Sequence, residues 1–249
     1  TAGYGQTAVA QVAGGDTVIA TGQWNALVAN TASAAAHSGS SITAVTAPSS
    51  GGTVTYLSAI PTNLTTIYTN RRNAAAVGST TTSTATRSTS WENGLTFTHT
   101  VTFASGDAAR YFFNAGGQIK MTASHPTGSG INLLFSDLAS NTGTVVQSAP
   151  NSGTVSIAGT AYSGITKVGG GGTAPTVDAN KGYFGLTTSN ATAFTQTASS
   201  GPSGYLSSFI RYIVKSNGTQ GSNGDTGSVV TIYSVWDEIP NDLVASASS

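Results

Sequence analysis

Three histidines, nine carboxylates and no cysteine are the groups from which this chain could build a reaction centre. Catalysis needs convergent polar groups whose protonation is tuned by their surroundings. Nothing in the spacing of His37, His99 and His125 pairs them with one another. A Gly-x-Ser-x-Gly elbow and a His-Glu-x-x-His helix are both absent from the sequence. The lack of cysteine rules out disulfides, zinc–thiolate sites and iron–sulfur clusters. Asp237 and Glu238 are adjacent, but in a strand they point to opposite faces. They are expected to blunt an edge strand and not to act as an acid–base pair. The turn Asn223-Gly224-Asp225-Thr226-Gly227 offers oxygens but lacks the spaced carboxylates of a calcium loop. The run Gly169-Gly170-Gly171-Gly172 is not followed by Gly-Lys-Ser/Thr, so it reads as a turn and not as a phosphate loop. Trp91, Tyr183, Phe184 and Trp236 could stack on a sugar, with core packing as the competing role. The expectation from this inventory is a non-enzyme with no catalytic residues, no metal and no cofactor.

The composition sets the stage for those few groups. Charged residues make up 7% of the 249, against roughly 25% in an average soluble domain. Nine basic and nine acidic side chains cancel, yet the mean hydropathy is only +0.02. Neutral side chains therefore carry the polarity, chiefly 40 Thr and 33 Ser. Threonine favours strands because its branched Cβ fits a pleated surface, whereas glycine and serine favour turns. No basic cluster exceeds Arg71-Arg72, so the long-range attraction that concentrates a protein on nucleic acid or anionic lipid is missing. No apolar run approaches the roughly 18 residues of a membrane-spanning helix, so no membrane insertion is expected. The first residues also lack the basic and apolar pattern of a signal peptide.

Three regions then emerge, with boundaries at 1–48, 53–90 and 91–249. In the first, Trp24, Leu27, Val28 and Thr31 recur at helical spacing, with Thr21 as N-cap, His37 near the end and Gly39 as the stop. After the linker Ser49-Ser50-Gly51-Gly52, Ile60, Leu64, Ile67, Tyr68 and Arg71 recur along a second helix ending near Val77-Gly78. Pro61 falls where a first-turn proline is tolerated. The third region is β. In Leu95-Thr96-Phe97-Thr98-His99-Thr100-Val101-Thr102-Phe103 every even position is Thr, and every odd one except His99 is apolar. That period of two predicts a strand with one buried and one wet face, and places His99 as a packed or interface histidine. Arg110-Tyr111-Phe112-Phe113 and Gln118-Ile119-Lys120-Met121-Thr122 flank Asn114-Ala115-Gly116-Gly117, which predicts a hairpin. Residues 132–138 read as a short helix. Strands are expected at Val155–Ile157, 164–168, 183–188, 193–197, 206–215 and 229–236, the last two buried on both faces. Amphipathic N-terminal helices followed by an antiparallel β-sandwich or jelly-roll domain is the expected fold, mainly β in class.

Two stretches carry a likeness to a known group of proteins. One spans residues 14–37, where Asp16-Thr17-Val18-Ile19-Ala20-Thr21-Gly22-Gln23-Trp24-Asn25 leads into an alanine-rich helix. The other spans residues 103–119, with Ser105-Gly106-Asp107-Ala108-Ala109-Arg110-Tyr111-Phe112-Phe113-Asn114 at its centre. Tyr233-Ser234-Val235-Trp236-Asp237 fits as a final strand. This organisation resembles virion structural proteins of tailed bacteriophages, especially the contractile-tailed phages of cyanobacteria. The resemblance implies a tail, baseplate, fibre or capsid-decoration subunit located in the virion. It implies other virion proteins and further copies of the chain as partners, in a trimer or hexamer. A host surface glycan is the alternative partner, and no functional residues carry over. Trp24, Leu27, Val28, Ile60, Leu64 and Ile67 are the expected assembly contacts. The first 70 residues hold a single charge, Asp16, which suits an arm covered by partners.

Overall fold

A computed structural model describes residues 20–37, 40–46, 58–70, 80–91, 94–222 and 224–239. The expected linker at 49–52, the stop at Gly39, Arg71, the helix end near Val77-Gly78 and Asn223 lie outside the described residues. The fold is mainly β, with antiparallel sheets and four α-helices among the described residues. A π-helical turn, Ala20–Trp24, leads into α1 (Asn25–His37), and α2 is Ala59–Asn70. Then come β1 (Gly94–Thr102), α3 (Gly106–Asn114), β2 (Ile119–Thr122), α4 (Ile131–Thr142) and β3 (Thr144–Gln147). The remaining strands are β4 (Val155–Ile157), β5 (Thr160–Tyr162), β6 (Ile165–Val168), β7 (Thr176–Val177), β8 (Ala191–Thr197), β9 (Phe209–Ser216) and β10 (Val229–Asp237). Two compact units contain these elements: one holds α1 and α2 with Arg110–Gly117 and Gly221–Gly224, the other holds the strands and α4.

In the helical unit, α1 buries Thr31 and Ala35, four residues apart on one face. The Thr31 hydroxyl donates to the Leu27 carbonyl at 2.8 Å, so a polar side chain enters the buried face without an unmet bond. Helix α2 touches α1 and buries Ile60 and Asn63. Asn63 acts as a clamp. Its Oδ1 accepts from the Thr43 amide at 3.0 Å, and its Nδ2 donates to the Thr43 carbonyl at 2.8 Å. One side chain thus satisfies both backbone groups of a residue that has no strand beside it.

The second unit is built on a five-stranded sheet ordered β1-β10-β9-β8-β7, with all pairings antiparallel. Register places Leu95, Trp236 and Ile210 in one inner row and Phe97, Ser234, Tyr212 and Phe194 in the next. His99, Ile232 and Val214 form the third row. Helix α4 lies against β8 and β9 and supplies Leu134, Phe135, Leu138 and Ala139 to the core. The opposite face carries Thr96, Thr98 and Thr100 beside Val235, Tyr233 and Thr231. Strands β9 and β10 alternate buried with half-buried positions, so they are covered fully on one face and partly on the other. This corrects the expectation of strands buried on both faces.

A second sheet, β2-β3-β6, adjoins the loop that carries Tyr183. The Tyr183 amide donates to the Ser148 carbonyl at 2.9 Å, and the Phe184 amide to the Ala149 carbonyl at 3.1 Å. Backbones meet so closely here that a Cβ on Gly182 would stand 2.0 Å from the Pro150 carbonyl oxygen. Only glycine fits there. β4 and β5 form a separate hairpin closed by Ala158 and Gly159, both at positive φ.

Two further expectations are corrected. Arg110-Tyr111-Phe112-Phe113 is not the first strand of a hairpin but part of helix α3. Ser105 caps that helix, its Oγ accepting from the Ala108 amide at 3.0 Å. Ala109 and Phe113, four apart, are buried, as is Arg110. Asn114-Ala115-Gly116-Gly117 is the helix exit, with Gly116 at φ 94 and the Gly117 amide donating to the Phe112 carbonyl at 2.8 Å. Residues 183–188 are not a strand either, because Tyr183–Gly185 is a 3₁₀ turn.

Candidate interaction surfaces

The groups expected to be inert are held in local structure. His99 Nδ1 lies 3.1 Å from Ser83 Oγ, and His125 Nδ1 lies 2.8 Å from the Pro126 carbonyl oxygen. α1 ends at His37 as expected. Among the described residues no three His, Asp or Glu side chains come together in a group that could hold a metal ion. Asp237 sits at the end of β10, which runs between β1 and β9. It and Glu238 therefore do not blunt a sheet edge, contrary to expectation. The glycine run 169–172 turns with Gly169, Gly170 and Gly172 at positive φ. Lys167 Nζ donates to the Gly171 carbonyl and to Gln196 Oε1, each at 3.1 Å, and so pins that turn. Desolvation holds the Lys167 ammonium pKa below its usual value. The 220s turn is likewise structural: the Gly227 amide donates to the Thr219 carbonyl at 2.6 Å, and the Gly227 carbonyl accepts from the Tyr183 hydroxyl.

The four aromatic candidates divide. Tyr183 is wholly buried, and Phe184 and Trp236 are 8% and 6% exposed, so none of these three offers a ring face to a sugar. Tyr183 and Phe184 pack edge to face at 5.0 Å. Trp236 closes on Phe135 at 5.9 Å, with its indole N–H donating to Ser234 Oγ at 3.0 Å. Trp91 is half-buried, its ring 4.8 Å from that of Phe135. His125 completes the group at 6.1 Å from Phe135 and 6.3 Å from Trp236. Core packing wins for three of the four: Trp236 closes the inner face of the sheet under α4, and Tyr183 and Phe184 pack on each other where their loop meets the chain after β3.

The expected assembly residues also divide. Ile60 is buried within the helical unit. Trp24, Leu27, Val28 and Ile67 are half-buried. Leu64 is 47% exposed and Tyr68, one helical turn further along, is 65% exposed. Leu64, Thr65, Ile67 and Tyr68 line a shallow, almost entirely apolar hollow on α2. α2 carries no charged residue.

Sequence reasoning passed over one feature. The polar run 79–84 reads in the sequence as a linker or an exposed strand; Ser79 lies outside the described residues, and residues 81–90 are an extended segment in which every residue is exposed. The period-two signal that identifies β1 is absent there, because the segment has no apolar residue larger than Ala85.

No helix among the described residues is long and apolar enough to cross a membrane. No protein-family model, curated protein or solved structure matches this chain.

Proposed function

We propose that this chain is a non-enzymatic structural subunit of a tailed-phage virion, serving in the tail, baseplate, fibre or capsid decoration. Its partners are other virion proteins and further copies of itself, in a trimer or hexamer. With that reading goes a finer architecture, a sandwich or jelly-roll body that carries docking helices. The observation that carries the proposal is the outward apolar face of α2. Leu64 and Tyr68 stand in solvent on a helix with no charge to keep it apart from a neighbour. The near absence of charge in the first 70 residues points the same way. So do the sequence stretches at 14–37 and 103–119.

Assembly is the test. The purified chain should run as a closed oligomer in size exclusion with light scattering. The double variant Leu64→Asp/Tyr68→Asp should run as a monomer with an unchanged circular dichroism spectrum. A wild-type chain that stays monomeric at high micromolar concentration would sink the proposal. Immunogold labelling with an antibody to the chain should decorate virus particles, and labelling confined to soluble lysate would remove the virion part.

A second reading, a glycan-binding module, rests on Trp91 alone, which is half-buried where the other three candidate rings are buried. A glycan array probed with wild type and Trp91→Ala decides it. Binding that vanishes in the variant favours this reading, and an array blank for wild type ends it.

A further inference from the structure

We propose that residues 81–90 of one copy add as a strand along the free edge of β1 in a second copy, an inference that rests on the assembly reading above.

The segment has an unusual accounting of backbone groups. All ten residues are exposed, none lies in a helix or strand, and among the described residues none takes part in a backbone–backbone hydrogen bond. Its bonds are made by side chains: Ser83 to His99, and the Arg87 guanidinium to the carbonyls of Thr89 and Ser90, both at 3.3 Å. Five threonines and three serines make it prone to extend, and it contains no proline to remove a donor. It cannot bury an apolar face of its own, so its order must come from a partner.

The edge of β1 has the complementary deficit. Among the described residues β1 ends the five-stranded sheet and pairs with β10 alone, through nine residues in unbroken register. Sheet edges are ordinarily protected by lysine, proline, a bulge or an inward charge. β1 has none of these, since His99 is its one titratable residue. A ten-residue extended segment with a single charge, Arg87, and a nine-residue strand with one open side make a matched pair for strand addition. Once added, the segment would become the new edge, and it brings the missing charge in Arg87.

The chain's own segment does not fill its own edge. It touches its sheet through inner-face side chains: Ser83 meets His99, and Trp91 at its root packs on Phe135 under the sheet. Among the described residues no backbone hydrogen bond joins residues 81–90 to β1, so the β1 edge stays available to a second copy.

Because the sequence has no cysteine, introduced thiols report without background. Thr98→Cys, on β1, is mixed with Thr82→Cys, Thr84→Cys or Thr86→Cys, each on a separate copy, and oxidised gently with oxidised glutathione. The expected result is that most protein in at least one mixture runs as a covalent dimer, whereas Thr98→Cys alone stays monomeric on a denaturing gel. Dimerisation of Thr98→Cys alone at the same rate would replace the proposal with β1-to-β1 pairing. Closure of Thr84→Cys/Thr98→Cys within a single chain at high dilution would show the edge filled by its own segment and overturn it. An oligomer that forms but cross-links in no mixture overturns the strand and leaves the assembly reading standing. A chain that is monomeric throughout removes both.

Discussion

In the sheet unit, large side chains turn inward: Phe135, Phe194 and Tyr212 are almost fully buried, and Trp91 and Trp236 pack on Phe135. In the helical unit, Leu64 and Tyr68 turn outward, while a polar residue, Asn63, takes the buried position. The sheet unit thus keeps its apolar area for its own stability. The helical unit spends a polar clamp on holding α2 in place and leaves apolar area unburied. A chain that served alone would gain by reversing those choices on α2. The contrast separates large side chains that build a core from large side chains that stay exposed.

Substitutions can break or sharpen that contrast. The largest effect is expected at Phe135, which sits among Trp91, Trp236 and His125. Phe135→Ala should lower unfolding stability by about 3–5 kcal/mol, read from the urea midpoint at unchanged slope. A loss below about 1 kcal/mol would mean that the cluster is no core.

Asn63→Ala comes next. Removing both clamp bonds hands the amide and carbonyl of the exposed Thr43 to water and should cost about 0.5–1.5 kcal/mol. The cost should appear as faster hydrogen exchange at the Thr43 amide, with the sheet amides unchanged. Equal acceleration in the sheet would show that the two units share one cooperative transition.

Tyr212→Phe should have the smallest effect at neutral pH. The Tyr212 hydroxyl is buried and meets no acceptor among the described residues. Burial raises its pKa well above the usual phenol value. The folded chain then keeps the proton that the unfolded chain gives up. Its contribution is intact below the ordinary phenol pKa of about 10 and is lost as pH climbs beyond it. The variant should match wild type near pH 7, within about 1 kcal/mol, and lose less stability in alkali. Parallel alkaline curves for the two proteins would show that Tyr212 is not the group responsible.

Much of the sheet was legible in the sequence, and for one reason. Alternation of Thr with Leu95, Phe97 and Val101 gives β1, and Val155–Ile157 was also placed correctly. Strand expectations at 206–215 and 229–236 fall on β9 and β10, and the helix at 132–138 is the middle of α4. α3 was misread because Phe112 and Phe113 favour strands and Asn114-Ala115-Gly116-Gly117 has the composition of a hairpin turn. The cap at Ser105 and the four-residue step from Ala109 to Phe113 were the competing signals. Thr144–Gln147 was missed as a strand because four residues buried on nearly every side show no alternation. Of the surface, Leu64 was found by helical spacing. Residues 81–90 carry no pattern at all, since what marks them among the described residues is the lack of backbone–backbone bonds, and a sequence does not list those.

The packing of Trp91 on Phe135 has a consequence in terms of distance. Trp91 anchors residues 81–90 at one end, and ten extended residues span at most about 33–36 Å. Two copies joined by strand addition must therefore place the β1 edge of one within that radius of Trp91 in the other. The segment then works as a ruler, and the spacing between neighbouring subunits is set by a count of residues, whatever side chains those residues carry.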